Sequence, residues 1–199
     1  QKGYERLLGY QAADGGFSYW SGKDAADIAL TAYAIRFLTD AQEFIEIDRS
    51  VVENARQYLI KQQREDGSWT KKYYNETTED KIRTTMFTAY AARILAMTKD
   101  TNKTALQKAL NYLKNAEISE PYALALYGLA NFDAGNIEET RSIAKKLESM
   151  AKTENGTAFW NLETSTPFYG SGMTGRIETT ALVVQFLSEF HRRDTETQR

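Results

Sequence analysis

Cysteine is absent from the 199 residues, and histidine occurs once, as His191. The first absence excludes a disulfide scaffold, a thiolate metal site and a thiol nucleophile within the chain. The second excludes any in-chain site that needs two imidazoles. Two prolines and twelve glycines argue against low complexity and against a loop-rich all-β architecture. No apolar run approaches the roughly 18 residues needed to span a bilayer. Charge of one sign is also missing: 25 Lys and Arg face 27 Asp and Glu, a net of −2. That balance removes the electrostatic argument for nucleic acid or an anionic membrane surface. Gln1-Lys2-Gly3-Tyr4 lacks the form of a signal peptide and is expected to open inside a longer polypeptide. The length suits one large domain, or a piece of one, with a substantial core.

What the chain does have is a repeat. Thr31-Ala32-Tyr33-Ala34-Ile35-Arg36-Phe37-Leu38, Thr88-Ala89-Tyr90-Ala91-Ala92-Arg93-Ile94-Leu95 and Thr180-Ala181-Leu182-Val183-Val184-Gln185-Phe186-Leu187 align without gaps. Tyr122-Ala123-Leu124-Ala125-Leu126-Tyr127-Gly128-Leu129 is a looser fourth copy. These stretches are apolar nearly all round, which marks buried helices. Between them Val51, Val52, Ala55, Tyr58 and Leu59 recur at helical spacing, as do Leu106, Ala109, Leu110 and Leu113, and Ile143, Ala144, Leu147 and Met150. Their polar intervening residues give the one-sided stripe of surface helices. The pattern predicts helices over 2–12, 26–42, 49–63, 81–98, 103–116, 120–132, 137–151 and 176–191, grouped as four outer–inner hairpins. Asp48, Thr101 and Asn136 are the expected N-caps.

A turn recurs as well. Gln11-x-x-Asp14-Gly15-Gly16-Phe17 returns as Gln63-x-x-Asp66-Gly67-Ser68-Trp69, and more loosely as Asn155-Gly156 with Phe159. Glycine supplies the left-handed conformation that ends a helix, and the aromatic residue folds back to bury a large apolar area. The distance from aromatic to Thr-Ala grows along the chain, so the loops on one rim differ in length. A ring or solenoid of αα-hairpins follows.

Taken singly, the polar residues name no activity. Asp24 and Asp27 suit a cyclase acid or a metal site, but acids in a first turn have a simpler dipole role. Glu178 is read the same way, and His191 is a cation near a helix end. Arg36 and Arg93 are expected to pair with acids inside the ring, with substrate binding the lesser reading. Phe17, Tyr19, Trp20, Trp69, Tyr73 and Tyr74 either line a cavity or pack the turns. Asn75, Asn102 and Asn155 begin glycosylation sequons that matter only in a eukaryotic host.

The ordered set of motifs resembles the thioester-containing domain of the alpha-2-macroglobulin and complement family. The resemblance rests on Lys2-Gly3-Tyr4 with Leu7, the Gln11-x-x-Asp14-Gly15-Gly16-Phe17 turn, and Leu30-Thr31-Ala32-Tyr33. It continues through Ile47-Asp48, Ala55-x-x-Tyr58-Leu59, Gln63-x-x-Asp66-Gly67, Tyr122 to Tyr127, Ala134-Gly135-Asn136 and Ile177-Glu178-Thr179-Thr180-Ala181. Phe17-Ser18-Tyr19-Trp20 looks more like bacterial members. The resemblance implies an all-α toroid, with about four of the family's six αα-hairpins over residues 1–191 and a polar tail over 192–199.

Family members close a thioester between Cys and Gln upstream of the Lys-Gly-Tyr helix, so that segment is expected outside this chain. Some complement members direct the thioester to hydroxyls through a His after the second turn. Thr70 to Thr77 has none, which favours amines. The implied role is protease entrapment or covalent target tagging by a secreted or periplasmic parent. Its partners would be proteases or target surfaces and the parent's other domains. No catalytic residue, cofactor, metal, nucleic-acid contact or membrane insertion is expected of this segment. The chain is not expected to be an enzyme. The alternatives are a terpene cyclase or prenyltransferase toroid, suggested by Gln63-x-x-x-Gly67-x-Trp69, and a non-catalytic binding scaffold. A four-hairpin ring is expected to leave Tyr4, Leu7, Leu8, Leu182, Val183, Phe186 and Leu187 exposed at its ends and to promote self-association.

Overall fold

The computed structural model describes residues 2–21, 25–71, 80–98 and 103–197, with side chains described as far as residue 193. Among these residues the chain forms α1 (Lys2–Leu8), α2 (Ile28–Ala41), α3 (Arg49–Lys61), α4 (Lys81–Met97), α5 (Lys103–Asn115), α6 (Pro121–Ala134), α7 (Ile137–Met150) and α8 (Gly172–Thr197). The helix starts follow local chemistry: Asp27, Asp48 and Asp80 accept from the backbone N–H of Leu30, Ser50 and Arg83. Pro121 opens α6 and Gly135, in the left-handed region, closes it. Asn136 is not a side-chain cap. Its backbone N–H closes the α6 C-terminus on Asn131 O, and its amide donates to the Asn131 side chain. Thr101 lies outside the described residues.

The inner helices α2, α4, α6 and α8 stack side by side in sequence order. Helices α4 and α6 are buried nearly all round, whereas α3, α5 and α7 bury one stripe. Each outer helix packs on the inner helix before it: α3 on α2, α5 on α4, α7 on α6. The hairpins therefore run inner to outer, not outer to inner as expected. Short connections explain this, since residues 42–48 join α2 to α3 and only 135–136 join α6 to α7. The return path from outer to inner helix carries the glycine turn and a longer rim loop.

That turn is stitched twice. Gln11 Nε2 donates to Gly15 O and to Val51 O of α3, both at 2.9 Å. Gln63 Nε2 repeats this on Gly67 O at 3.0 Å and Ala105 O of α5 at 2.8 Å. The anchor aromatics donate backbone N–H groups to the repeat threonines: Phe17 to Thr31 at 2.8 Å, Trp69 to Thr88 at 3.0 Å, Trp160 to Thr180 at 3.1 Å. Trp160, not Phe159, is thus the third anchor. Its indole N–H reaches Leu147 O as that of Trp69 reaches Leu59 O, each at 2.7 Å.

Three details depart from the helical expectation. Strands β1 (Lys152–Glu154) and β2 (Thr157–Phe159) form a small antiparallel hairpin. Asn155 and Gly156 supply the paired positive φ values of its two-residue turn. Helix α8 starts at Gly172, and the polar residues from Arg192 onward, expected as a tail, continue it through Thr197. No Gly or Pro intervenes from Arg176 to stop it. Finally, Val183 and Phe186 are core residues. The exposed apolar face of α8 is Met173, Ile177 and Val184, and at the other end of the stack Leu8, Tyr33 and Phe37 are uncovered. None of the described helices is long and apolar enough to cross a membrane.

Candidate functional site

The loops entering the inner helices converge on one rim. Asp27, which caps α2, forms an ion pair with Lys71 from the segment after the second glycine turn. Arg83 of α4 donates to Lys71 O at 3.3 Å and pairs with Asp80 at 3.1 Å. Burial opposes the charged form of Lys71, but its hydrogen bond to Asp27 and the carboxylate charge outweigh that and hold the ammonium above its ordinary pKa. Tyr19 is pushed up by burial, then by the negative charge of Asp27. Tyr169 lies within electrostatic reach of both Tyr19 and Lys71, and it holds a φ of 64°. A bulky residue in that region requires surrounding contacts to hold it. Behind the rim the Tyr58 hydroxyl donates to Ala26 O at 2.7 Å, and burial, followed by Asp14 and Asp27, pushes it up to about 12.

The segment before α8 crosses the stack. Phe168 meets Tyr33 of α2 edge-on at 5.5 Å and Tyr90 of α4 at 5.8 Å. Farther back, Glu163 N–H donates to the buried Glu120 carboxylate at 3.1 Å. Burial raises the Glu120 pKa, with this hydrogen bond opposing and the Glu163 charge assisting. Glu178 falls in the second turn of α8, not the first, because the helix begins at Gly172. A Cβ on Gly170 would lie 2.7 Å from its Oε2. Glu178 adds to the burial that pushes Tyr122 upward.

Toward the opposite end of the ring, Arg93 of α4 pairs with Asp133 of α6, and burial lowers its pKa. Arg36 pairs with Asp40 one turn along α2 at 3.9 Å. Both arginines therefore meet acids, but only Arg93 bridges two helices. His191 contacts Glu148 of α7 at 3.0 Å, and six further helical residues follow it, so it is not at a terminus. Asp27 is a cap and ion-pair partner. Asp24, Tyr73, Tyr74, Asn75 and Asn102 lie outside the described residues, while Asn155 is exposed at the β-hairpin turn. Phe17 and Trp69 are core, and Tyr19 and Trp20 are exposed.

Among the described residues no group of three His, Cys, Asp or Glu is arranged to hold a metal. The rim offers aromatic rings, phenols and a charge-paired lysine. These are the side chains that dominate protein recognition surfaces. Sequence reasoning missed Lys71, Phe168 and Tyr169, whose partners lie far away in the chain and leave no local pattern. The repeated Gln and Thr were visible as motif letters, although their hydrogen-bonding role was not.

The A-macroglobulin TED domain family model matches residues 1–197. Thioester-containing protein 1 allele S1 of Anopheles gambiae is 26% identical over 191 residues, covering 91% of this chain and 13% of that protein. Ovostatin of Gallus gallus is 26% identical over 166 residues, covering 79% of this chain and 11% of that protein. Among solved structures, Salmonella alpha-2-macroglobulin reacted with methylamine superposes with a TM-score of 0.61 at 18% identity. It covers 92% of this chain and 12% of that one. Native Escherichia coli alpha-2-macroglobulin gives a TM-score of 0.60 at 23% identity, covering 77% and 10%. The fold is thus the α/α toroid of these proteins, and the chain spans about an eighth of the curated relatives' length. The chain belongs to the A-macroglobulin TED domain family.

Proposed function

We propose that this domain serves a longer alpha-2-macroglobulin-like protein that traps proteases or tags targets through a thioester carried outside these 199 residues. The family match over residues 1–197 carries the reading. The chain has no cysteine of its own, so its part is to form walls around the reactive group, not to supply it. A thioester hydrolyses in water and must be shielded until proteolysis releases it. An attacking amine then forms an amide with the acyl carbon as the C–S bond breaks, and the thiolate takes up the proton. Amines suit this chain because Thr70 to Thr77 lacks a histidine, and because a Salmonella structural neighbour reacted with methylamine. In this reading the domain performs no turnover chemistry and works outside the cytoplasm, in the extracellular or periplasmic space.

The test is incorporation of labelled methylamine into the longer protein, before and after protease treatment, read by mass spectrometry. One equivalent per molecule, with retention of an added protease, is expected. A protein that neither incorporates methylamine nor retains protease overturns the reading.

A further inference from the structure

The inner helices stack in sequence order, each between the inner helix before it and the one after it. Only one neighbour of α2 in that order, α4, lies among the described residues. Aligned through the repeat threonine, the residue six positions on is Phe37 in α2, Ile94 in α4 and Phe186 in α8. Ile94 is 1% exposed and Phe186 0%, whereas Phe37 is 51% exposed. Two positions past the same threonine, Tyr90 is 5% exposed and Tyr33 50%. A position that the other helices bury is open on α2.

The opening is a groove. Leu7 and Tyr10 from α1 and its exit, Phe17 and Tyr19 from the first turn, and Leu30 and Ala34 of α2 help line a cavity of about 260 Å³. Leu30, Tyr33, Ala34 and Phe37 form one helical stripe, so the groove runs along α2. No charged side chain lines it. An amphipathic outer helix would meet no polar counterpart there. An apolar helix of the inner class, like α4 or α6, meets the groove on the terms that those helices already meet their neighbours.

We infer that the α1–α2 groove seats a further inner helix, supplied in cis by the polypeptide preceding residue 1, as the next layer of the stack. Short, sequential connections between neighbouring repeats select this occupant over a second copy of the chain. The inference rests on the proposed reading that the chain is one part of a longer protein. It does not require that protein to retain a thioester.

The absence of cysteine makes the test direct. Tyr33→Cys and Phe37→Cys are made singly in the longer protein and in the 199-residue chain, with Ser149→Cys on the exposed side of α7 as the control. Maleimide labelling is followed by peptide mass mapping. In the longer protein, positions 33 and 37 are expected to react at least tenfold more slowly than 149. In the 199-residue chain the three should react within a few-fold of one another at every protein concentration. Equal labelling in the longer protein overturns the inference. So does protection in the short chain that grows with concentration, which would assign the groove to a second copy. If either variant fails to fold, amide exchange of α2 in the two unsubstituted proteins gives the same answer, with slowing in the longer one expected and no difference refuting it. Methylamine incorporation is scored separately, so a protected groove without incorporation would sink the thioester reading and leave the seat standing.

Discussion

Glu120 is a buried carboxyl group that accepts a hydrogen bond from the backbone of Glu163. Burial raises its pKa, so the folded protein holds that proton more tightly than the unfolded chain does. Linkage sets the direction of the pH effect. Below the ordinary value of 4.5 both states are protonated and the full stability is present. As pH rises through the folded-state pKa, part of it is lost. Glu120→Gln keeps an acceptor for Glu163 N–H and removes the charge. It is expected to be more stable than the parent at pH 7, with the advantage vanishing below about pH 4.5. Urea unfolding of both proteins across that range checks this, and parallel stability curves would refute it. The rim shows the opposite economy: Asp27 is nearly as buried as Glu120, but it faces Lys71 and a helix N-terminus, both of which favour the ionised form.

At the scale of elements, the glycine turns decide how one repeat docks on the next. Gly67 has a φ of +90°, and a Cβ there would lie 2.4 Å from Lys108 O on α5. Gly67→Ala is therefore expected to cost on the order of 2–4 kcal/mol, combining left-handed strain with a backbone clash. Gly156 has a φ of +76°, and a Cβ there would meet nothing within 4 Å. The same change at Gly156 should lose only about 1–2 kcal/mol, from strain alone. Chemical denaturation of the two variants separates the clash from the strain, and equal losses would show that the docking contact is unimportant. These turns were readable from the sequence because they are local: Asp, Gly and an aromatic residue at fixed offsets, each with a nearby partner. The helices were readable for the same reason, through their period and their caps. The third anchor was misplaced by one residue because the β-hairpin at Lys152–Phe159 replaces a plain turn and shifts the register to Trp160. The rim was not readable. Lys71 finds Asp27, and Phe168 finds Tyr33 and Tyr90, only after the stack has formed.

Over the whole molecule, burial falls off from the middle of the stack to its edges, and dynamics should follow. Helices α4 and α6 are enclosed by neighbours on nearly every side, whereas α1 buries no residue and α2 leaves Tyr33 and Phe37 half open. In a repeat architecture each unit draws stability from its neighbours, so the end units open first. Native-state hydrogen exchange on the 199-residue chain is expected to show the slowest amides in α4 and α6, exchanging only through global unfolding. Intermediate rates are expected in α2 and the first half of α8, and the fastest in α1 and in α8 beyond Phe190. Phe190 is the last buried residue of α8, and past it the backbone relies on helix hydrogen bonds without core contacts. Helix α1 is only seven residues long, too short to persist without tertiary support. A single uniform exchange rate across all helices would show that the chain melts as one cooperative unit and that its uncovered edges contribute as much as its centre. A gradient from α6 outward, steepest toward α1, would show that the open side of α2 is where this part of the toroid is held least firmly.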